Sequence, residues 1–181
     1  MTKFTLRIFP DPVLRGKAKQ VKDFSGMRDT VVNMARTMYE CGGVGLAAPQ
    51  VGLSLRLFVI DVGCGLREFI NPRILSRSRA KLKMDEGCLS VPGVNVAVTR
   101  PGRVKVMAQN GTGEFFTEEF EGMAARAIQH ENDHLDGKLI VDYLDPVRYF
   151  LTARRFRAVS GAKKRTCEVA CNDGKRTPRC A

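Results

Sequence analysis

Hydrophobic residues recur at helical spacing in the first quarter of the chain. Between Phe24 and Glu40 the apolar positions are Met27, Val31, Met34, Ala35 and Met38. Residues at this spacing lie on one face of an α-helix. Gly42 and Gly43 then interrupt the pattern, and glycine commonly follows the last turn of a helix. The pattern predicts an N-terminal helix with one buried face.

From Leu55 onward the pattern changes to short segments rich in β-branched and aromatic residues. Four of these segments are predicted strands: LRLFVIDV (55–62), VNVAVT (94–99), RVKVMA (103–108) and EFFTEEFEG (114–122). Asn110 and Gly111 offer the turn of a hairpin between the last two. The middle of the chain is therefore predicted to be mostly antiparallel sheet.

A second helix is predicted from about Gly122 to Asp136, with Gly137 in the position that commonly ends a helix. At about 100° per residue, one arc contains Met123, Ala127, His130, Glu131 and His134. The other side carries Arg126, Gln129, Asn132, Asp133 and Asp136. We expect the first arc to face the core.

This core-facing arc carries the only two histidines of the chain, four residues apart, with Glu131 between them. Two imidazoles at this spacing can converge on one metal ion while the glutamate reaches the bound water. A buried carboxylate is costly unless something compensates its charge, and a divalent cation does so. The alternative is two structural histidines beside an exposed glutamate, because HExxH also occurs by chance.

The segment DEGCLSVPG, residues 85–93, supplies a candidate third ligand in Cys88. One thiolate and two neutral imidazoles leave a fourth position for water, which is the arrangement of a catalytic metal site. Metal-bound water can ionise near neutral pH and attack a carbonyl, while Glu131 takes its proton and returns it to the leaving amine.

The glycine-rich segment GGVGLAAPQVG, residues 42–52, lacks the Gly-Lys-Ser/Thr of a phosphate-binding loop. Glycines also let a backbone lie close to an extended peptide and offer it the edge of a strand. Gln50 adds a neutral donor suited to polarising a carbonyl oxygen.

Taken in order, GVGLAAPQ, EGCLS and HENDH closely resemble the three signature motifs of the peptide deformylase family. The resemblance extends to DPVLR, to INP at 70–72 and to VDYLD at 141–145, so it covers about residues 5–150. It implies removal of the formyl group from the N-terminal methionine of new polypeptides. It also implies Fe²⁺ as the usual metal, with Zn²⁺, Ni²⁺ or Co²⁺ able to substitute. The implied fold class is α+β, with mostly antiparallel sheets around a central helix that bears HExxH.

Matching positions give each residue an implied role. The metal ligands would be Cys88, His130 and His134, and Glu131 would be the general acid/base. Gln50 and the Leu89 backbone N–H would stabilise the oxyanion. The peptide cleft would be lined by Gly43, Val44, Gly45 and Gly87. Because metal-bound imidazoles usually need a partner on the other ring nitrogen, Glu86 and Arg100 are candidate supporting residues.

The 181-residue length suits one folded domain, predicted at 1–156, followed by a basic tail at 157–181. The net charge is +11, and the last 31 residues hold nine Lys and Arg against two acidic residues. Such a tail is a candidate contact for the ribosome, although a solvated end explains the charge equally well. With no signal peptide and no long apolar run, we expect a cytoplasmic protein that binds neither membranes nor specific DNA.

Two other classes of protein remain as alternatives. A zinc endopeptidase of the HExxH kind usually takes histidine or glutamate as its third ligand, so Cys88 argues against it. An RNA-binding module with a structural metal would need a fourth protein ligand and would have no use for Glu131.

Overall fold

The computed structural model describes residues 4–160. The helices in this range are α1 (Met27–Glu40), α2 (Gly122–Leu135) and α3 (Pro146–Ser160). The strands are β1 (Gly45–Ala47), β2 (Leu57–Ile60), β3 (Arg67–Arg77), β4 (Lys81–Glu86), β5 (Val96–Pro101), β6 (Arg103–Gln109) and β7 (Phe115–Glu121). All the strand pairs are antiparallel. The predicted α+β class with mostly antiparallel sheet is confirmed.

The strands form two sheets. Five of them lie in the order β1-β2-β3-β6-β7, and β4 pairs with β5 as a separate hairpin. The predicted turn between β6 and β7 is present: the Gly113 N–H donates to the Asn110 carbonyl at 2.9 Å. The three-residue strand β1 lies at one edge of the larger sheet. The segment GVGLAAPQ therefore includes a strand of the larger sheet, whereas EGCLS begins at the last residue of the hairpin strand β4.

Three of the seven described strands lie outside the predicted segments: the three-residue β1, and the longer β3 and β4. Strand β3 contains Pro72, and its pairing with β6 shifts register twice, between Ile70 and Arg73 and between Ile74 and Ser76. Strand β4 is exposed at every position except Glu86, so its side chains show no alternation of burial. Strand β3 lacks the period-two pattern by which a half-buried strand is recognised. In β4 the alternation of polar and apolar residues spans only Lys81 to Met84, and its apolar members Leu82 and Met84 are exposed.

Helix α1 follows its prediction closely. All five predicted core residues are buried, and the four other than Ala35 belong to one cluster with residues of β1 and β2 such as Leu46 and Val59. A left-handed glycine precedes the helix (Gly26, φ 72°) and another follows it (Gly42, φ 67°). This helix covers one face of the short edge strand that carries the glycine-rich motif.

Helix α2 ends where glycine was predicted to end it. Gly137 has φ 74°, and its N–H donates to the His134 carbonyl at 3.2 Å. A Cβ at this position would lie 2.4 Å from the Arg15 carbonyl oxygen. The close approach of residue 15 adds a steric reason for glycine to the conformational one.

The predicted burial of α2 is wrong for residues on both sides of the helix. Arg126 and Gln129, placed by the helical pattern on the opposite side, are buried. Met123, placed in the core, is 50% exposed. The reason is the β4–β5 hairpin, which covers the side that a single-sheet arrangement would leave to solvent.

Arg126 connects α2 to this hairpin. Its guanidinium donates to Glu86 Oε1 at 2.6 Å, to the Leu82 carbonyl at 2.6 Å and to the Val98 carbonyl at 3.1 Å. These acceptors belong to both strands of the hairpin. A buried charge is tolerable when it is paired and hydrogen-bonded, and Arg126 meets that condition.

A cluster of buried apolar residues lies under α3. Ala153 and Phe156 are buried, and the Phe156 ring meets the Phe9 ring edge-on at 5.7 Å between centroids. Helix α3 thus packs on the N-terminal segment and runs past residue 156. The rest of the predicted basic tail, residues 161–181, lies outside the described residues. Across residues 4–160, no helix combines the length and apolarity that crossing a membrane requires.

We predict that Arg126→Met lowers the free energy of unfolding by about 3–5 kcal/mol, because it leaves Glu86 short of one buried cationic partner and strips two carbonyls of their donor. Urea unfolding followed by far-UV circular dichroism, with a chelator present, measures this loss. Arg148→Met is the matched control, since Arg148 is 77% exposed and its pair with Asp145 should contribute less than about 1 kcal/mol. Equal losses in the two variants would contradict the prediction.

Candidate active site

The three predicted metal ligands converge in the structure. Cys88 lies in the loop after β4, whereas His130 and His134 lie one turn apart on α2. Their donor atoms all lie within 4.8 Å of one another, and Cys88 Sγ is 3.2 Å from His134 Nε2. A soft thiolate with two imidazoles suits ions such as Fe²⁺ and Zn²⁺. Within residues 4–160 no other group of this kind was found.

Glu131 lies beside this donor set with its carboxylate only partly satisfied. The residue is 4% exposed, and its Oε2 has no hydrogen-bond partner among the described residues. Burial raises the pKa of Glu131 to about 7, even though the charges of His130 and Arg100 lower it. A carboxylate with such a pKa can both accept and return a proton near neutral pH.

Gly45 makes room for this carboxylate. A Cβ built on Gly45 would lie 2.3 Å from Glu131 Oε1, well inside van der Waals contact. Gly43 is constrained in a similar way, because a Cβ built on it would lie 2.7 Å from Leu89 Cδ1. The glycines of the first motif are thus explained by the residues of the other two motifs that pack against them.

The two histidines differ in their electrostatic surroundings. Burial lowers the pKa of His134 well below its usual range, which keeps the ring neutral. Its Nδ1 has no partner within residues 4–160. Burial also lowers the pKa of His130, but hydrogen bonds to Cys88 and Glu86 outweigh it and raise the pKa to about 10. A metal ion at these donors would compete with that proton, so its binding would release the proton.

The site fits a metal ion on two independent observations. The first is the donor set itself, which matches catalytic sites that retain an open position. The second is the buried Glu131 Oε2, because an unpaired buried polar atom is costly and such atoms mark the positions of bound water or ions.

Glu86, a candidate supporting residue, contacts the His130 ring and accepts hydrogen bonds from two arginines. Its Oε1 accepts from Arg100 Nε at 2.7 Å and from Arg126 at 2.6 Å. Its Oε2 accepts from Arg100 at 2.9 Å and lies 3.0 Å from His130 Nδ1. Burial alone would raise the pKa of Glu86, but the hydrogen bonds from His130 and Arg100 lower it to about 2. The carboxylate therefore stays ionised and orients the His130 ring.

Arg100 extends this network to two residues that the sequence did not assign. It donates to Asp133 Oδ2 at 2.8 Å, and the Tyr143 hydroxyl donates to the same oxygen at 2.8 Å. Arg126, Asp133 and Tyr143 are thus supporting residues missed at the level of sequence. Asp133 lies within the motif HENDH and Tyr143 lies within VDYLD. Their place in these motifs was the sequence signal that could have identified them.

Gln50 approaches the donor set from the other side. It lies in the 3-10 turn Ala48–Val51 directly after β1 and is 1% exposed. Its Oε1 accepts the Ala47 N–H at 2.7 Å, while its Nε2 lies 3.6 Å from Cys88 Sγ. The amide donor is therefore turned toward the cleft.

A cleft of about 360 Å³ opens onto these groups. The predicted cleft residues Gly43, Val44, Gly45 and Gly87 all line it, as does Leu89. Further lining residues not assigned from the sequence are Gly42, Asp85, Met123, Arg126 and Ala127. The site combines a proton acceptor, an amide donor and a metal-ligand set. This combination is suited to hydrolysis of a carbonyl compound.

The comparisons with known proteins agree with this chemistry. The family model described as polypeptide deformylase matches residues 4–149. A peptide deformylase of Thermotoga maritima is 46% identical over 163 residues, which are 90% of this chain and 99% of that protein. The crystal structure of peptide deformylase from that organism has a TM-score of 0.78 at 49% identity and covers 81% of this chain and 100% of its own.

A peptide deformylase structure from Legionella pneumophila has a TM-score of 0.82 at 38% identity, covering 90% of this chain and 99% of its own. The likeness therefore extends over nearly the whole described region in both sequence and structure. This chain belongs to the polypeptide deformylase family.

Proposed function

We propose that this protein is a metal-dependent hydrolase that removes the N-formyl group from the N-terminal methionine of new polypeptides. The observation that carries the proposal is the buried, partly unpaired Glu131 carboxylate next to the Cys88, His130 and His134 donors. Family membership supports the substrate class, and the cleft supports access of a peptide.

Residues of this chain act on the attacking water, on the leaving amine and on the formyl oxygen. Glu131 Oε2 accepts the proton of the attacking water and then returns it to the amine that leaves. The Gln50 side-chain amide and the Leu89 backbone N–H stabilise the negative charge that develops on the formyl oxygen. Because Glu131 is buried, the proton it holds exchanges with substrate more readily than with bulk water.

The substrate backbone lies along the glycine-rich segment. Strand β1 forms the edge of the larger sheet, and Gly43, Val44 and Gly45 line the cleft at this edge. An extended peptide can add to such an edge through main-chain hydrogen bonds. Gly87 borders the cleft on the opposite loop. Any longer side chain at Gly45 would displace Glu131, so the segment can offer only backbone there.

The metal is held by Cys88, His130 and His134, with Glu86 and Arg100 supporting the His130 ring. A bound divalent ion would supply Lewis acidity and lower the pKa of water. We propose Fe²⁺ as the ion used in the cell, with Zn²⁺, Ni²⁺ or Co²⁺ able to substitute. The thiolate distinguishes this donor set from that of an ordinary HExxH zinc endopeptidase, which the family match also disfavours.

The remaining proposals concern the place of action. We propose a cytoplasmic enzyme that meets its substrate as the nascent chain leaves the ribosome. We further propose the division into a catalytic domain at 1–156 and a basic tail that contacts the ribosome. The support for the tail is its charge alone, seven Lys and Arg in residues 157–181.

We predict that Glu131→Gln lowers kcat by about 10² to 10⁴ while the metal content is retained, because a neutral amide cannot accept a proton from water. Turnover of formyl-Met-Ala, with metal measured in the same preparation, tests this. Glu121→Gln, on an exposed residue directly before α2, should leave kcat unchanged. Turnover of Glu131→Gln within threefold of wild type would refute the role of Glu131, and cleavage of casein would favour an endopeptidase.

We predict that air inactivates the iron-loaded enzyme while the nickel-loaded enzyme stays active. Oxygen can oxidise ferrous ion or its thiolate, whereas Ni²⁺ resists this oxidation, and an open cleft cannot exclude oxygen. One preparation is loaded anaerobically with each metal, and formyl-Met-Ala hydrolysis is followed before and after exposure to air. Cys88→Ser should bind either metal much more weakly. Equal air stability of the two forms would contradict the prediction.

We predict that a chain ending at Ser160, which keeps all of α3, hydrolyses free formyl-Met-Ala normally but binds ribosomes with lower affinity and a smaller salt dependence. The matched control is the full chain with the six Lys and Arg of residues 161–181 replaced by Gln. Co-sedimentation with ribosomes across a salt series measures the effect. Unchanged ribosome binding by both variants would refute tail docking.

A further inference from the structure

The amide of Gln50 is fixed at its oxygen end. Oε1 accepts the Ala47 backbone N–H at 2.7 Å in a fully buried position. A flipped amide would place two N–H groups against that donor. The contact therefore sets which end of the amide faces the cleft, and it leaves the nitrogen as the group that can act on a substrate.

The nitrogen end has a second, independent constraint. Nε2 donates to Ser90 Oγ at 3.2 Å and to Cys88 Sγ at 3.6 Å. The two N–H bonds of a planar amide diverge by a fixed angle. When one of them is committed to Ser90, the other is directed to the side of the cleft where Cys88 lies.

Ser90 is itself held rigidly. The residue is 0% exposed, and its backbone carbonyl accepts the Phe9 N–H at 2.9 Å. The neighbouring Arg7 N–H donates to the Gln50 carbonyl at 2.7 Å. One N-terminal segment thus fixes the backbones of both Ser90 and Gln50, so their side chains meet with little freedom.

We propose that Ser90 is a positioning residue that aims the second N–H of Gln50, the one that faces Cys88, at the oxyanion. This inference rests on the proposed role of Gln50 as an oxyanion donor. Ser90 does not touch the substrate. Its hydroxyl restricts the amide to the geometry that stabilises charge in the transition state, so its loss lowers kcat and leaves KM nearly unchanged.

A double-mutant cycle on formyl-Met-Ala hydrolysis tests the proposal, with all variants loaded with nickel. Ser90→Ala should lower kcat about tenfold, as expected for loss of one buried hydrogen bond, with KM within twofold. Gln50→Ala should lower kcat about 10² to 10³. In the double variant Ser90→Ala should cause no further loss, because its target is absent.

Thr37→Val is the matched control. Thr37 is a buried residue on α1 whose hydroxyl donates to the Asn33 carbonyl at 2.9 Å, away from the cleft. The Thr37→Val variant also loses a buried hydroxyl, and it should keep the wild-type kcat. Metal content and urea midpoints establish that each variant is folded and loaded. If Ser90→Ala does not fold, Ser90→Cys replaces it in the cycle, since sulfur keeps the volume but accepts hydrogen bonds weakly.

The outcomes separate the two levels of the proposal. Wild-type kcat in Gln50→Ala would refute the oxyanion role of Gln50 and the positioning role together. A normal Gln50→Ala defect with unchanged kcat in Ser90→Ala would refute the role of Ser90 alone. An equal tenfold loss from Ser90→Ala in both backgrounds would show that Ser90 acts through something other than Gln50, which also overturns the inference.

Discussion

The buried carboxylate of Glu86 is the interaction on which the rest of the site depends. It lies at the end of β4, two residues before Cys88, and it accepts hydrogen bonds from two guanidiniums while contacting the His130 ring. A lone buried carboxylate would be strongly unfavourable, but this one is compensated on both oxygens. Because Arg126 and His130 both lie on α2, the same carboxylate joins the helix to the hairpin and orients a ligand.

Much of this could be predicted from sequence where the signal is local. The spacing of His130 and His134 on one helical face, the glycine that ends α2 and the buried face of α1 all follow from periodicity. Convergence of Cys88 on the histidines does not, because 46 residues separate Cys88 from His134 and only the fold brings them together. The motifs carried that information through resemblance to a family.

The misassigned residues have a common physical origin. Arg126 looked like a solvent-facing residue because a helical pattern assumes one buried side, whereas α2 is covered by both a sheet and a hairpin. Met123 looked like core because it shares the arc of His130, yet that end of the arc opens onto the cleft. Strand β4 was not predicted although Lys81 to Met84 alternate between polar and apolar residues, and its apolar side chains Leu82 and Met84 are exposed. In each case the tertiary surroundings, not the local propensity, decided burial.

The wide sequence separation of the site residues has a consequence for biosynthesis. Gly45, Cys88 and His134 come from successive parts of the chain, and Gly45 packs directly against Glu131. As the polypeptide emerges N-terminus first, the thiolate appears well before either imidazole. Until α2 has been made, a partial chain offers an ion only Cys88 of the three donors. The three-donor set is complete only when α2 has been made and has docked, so the metal site forms late, after most of the folded domain has been synthesised.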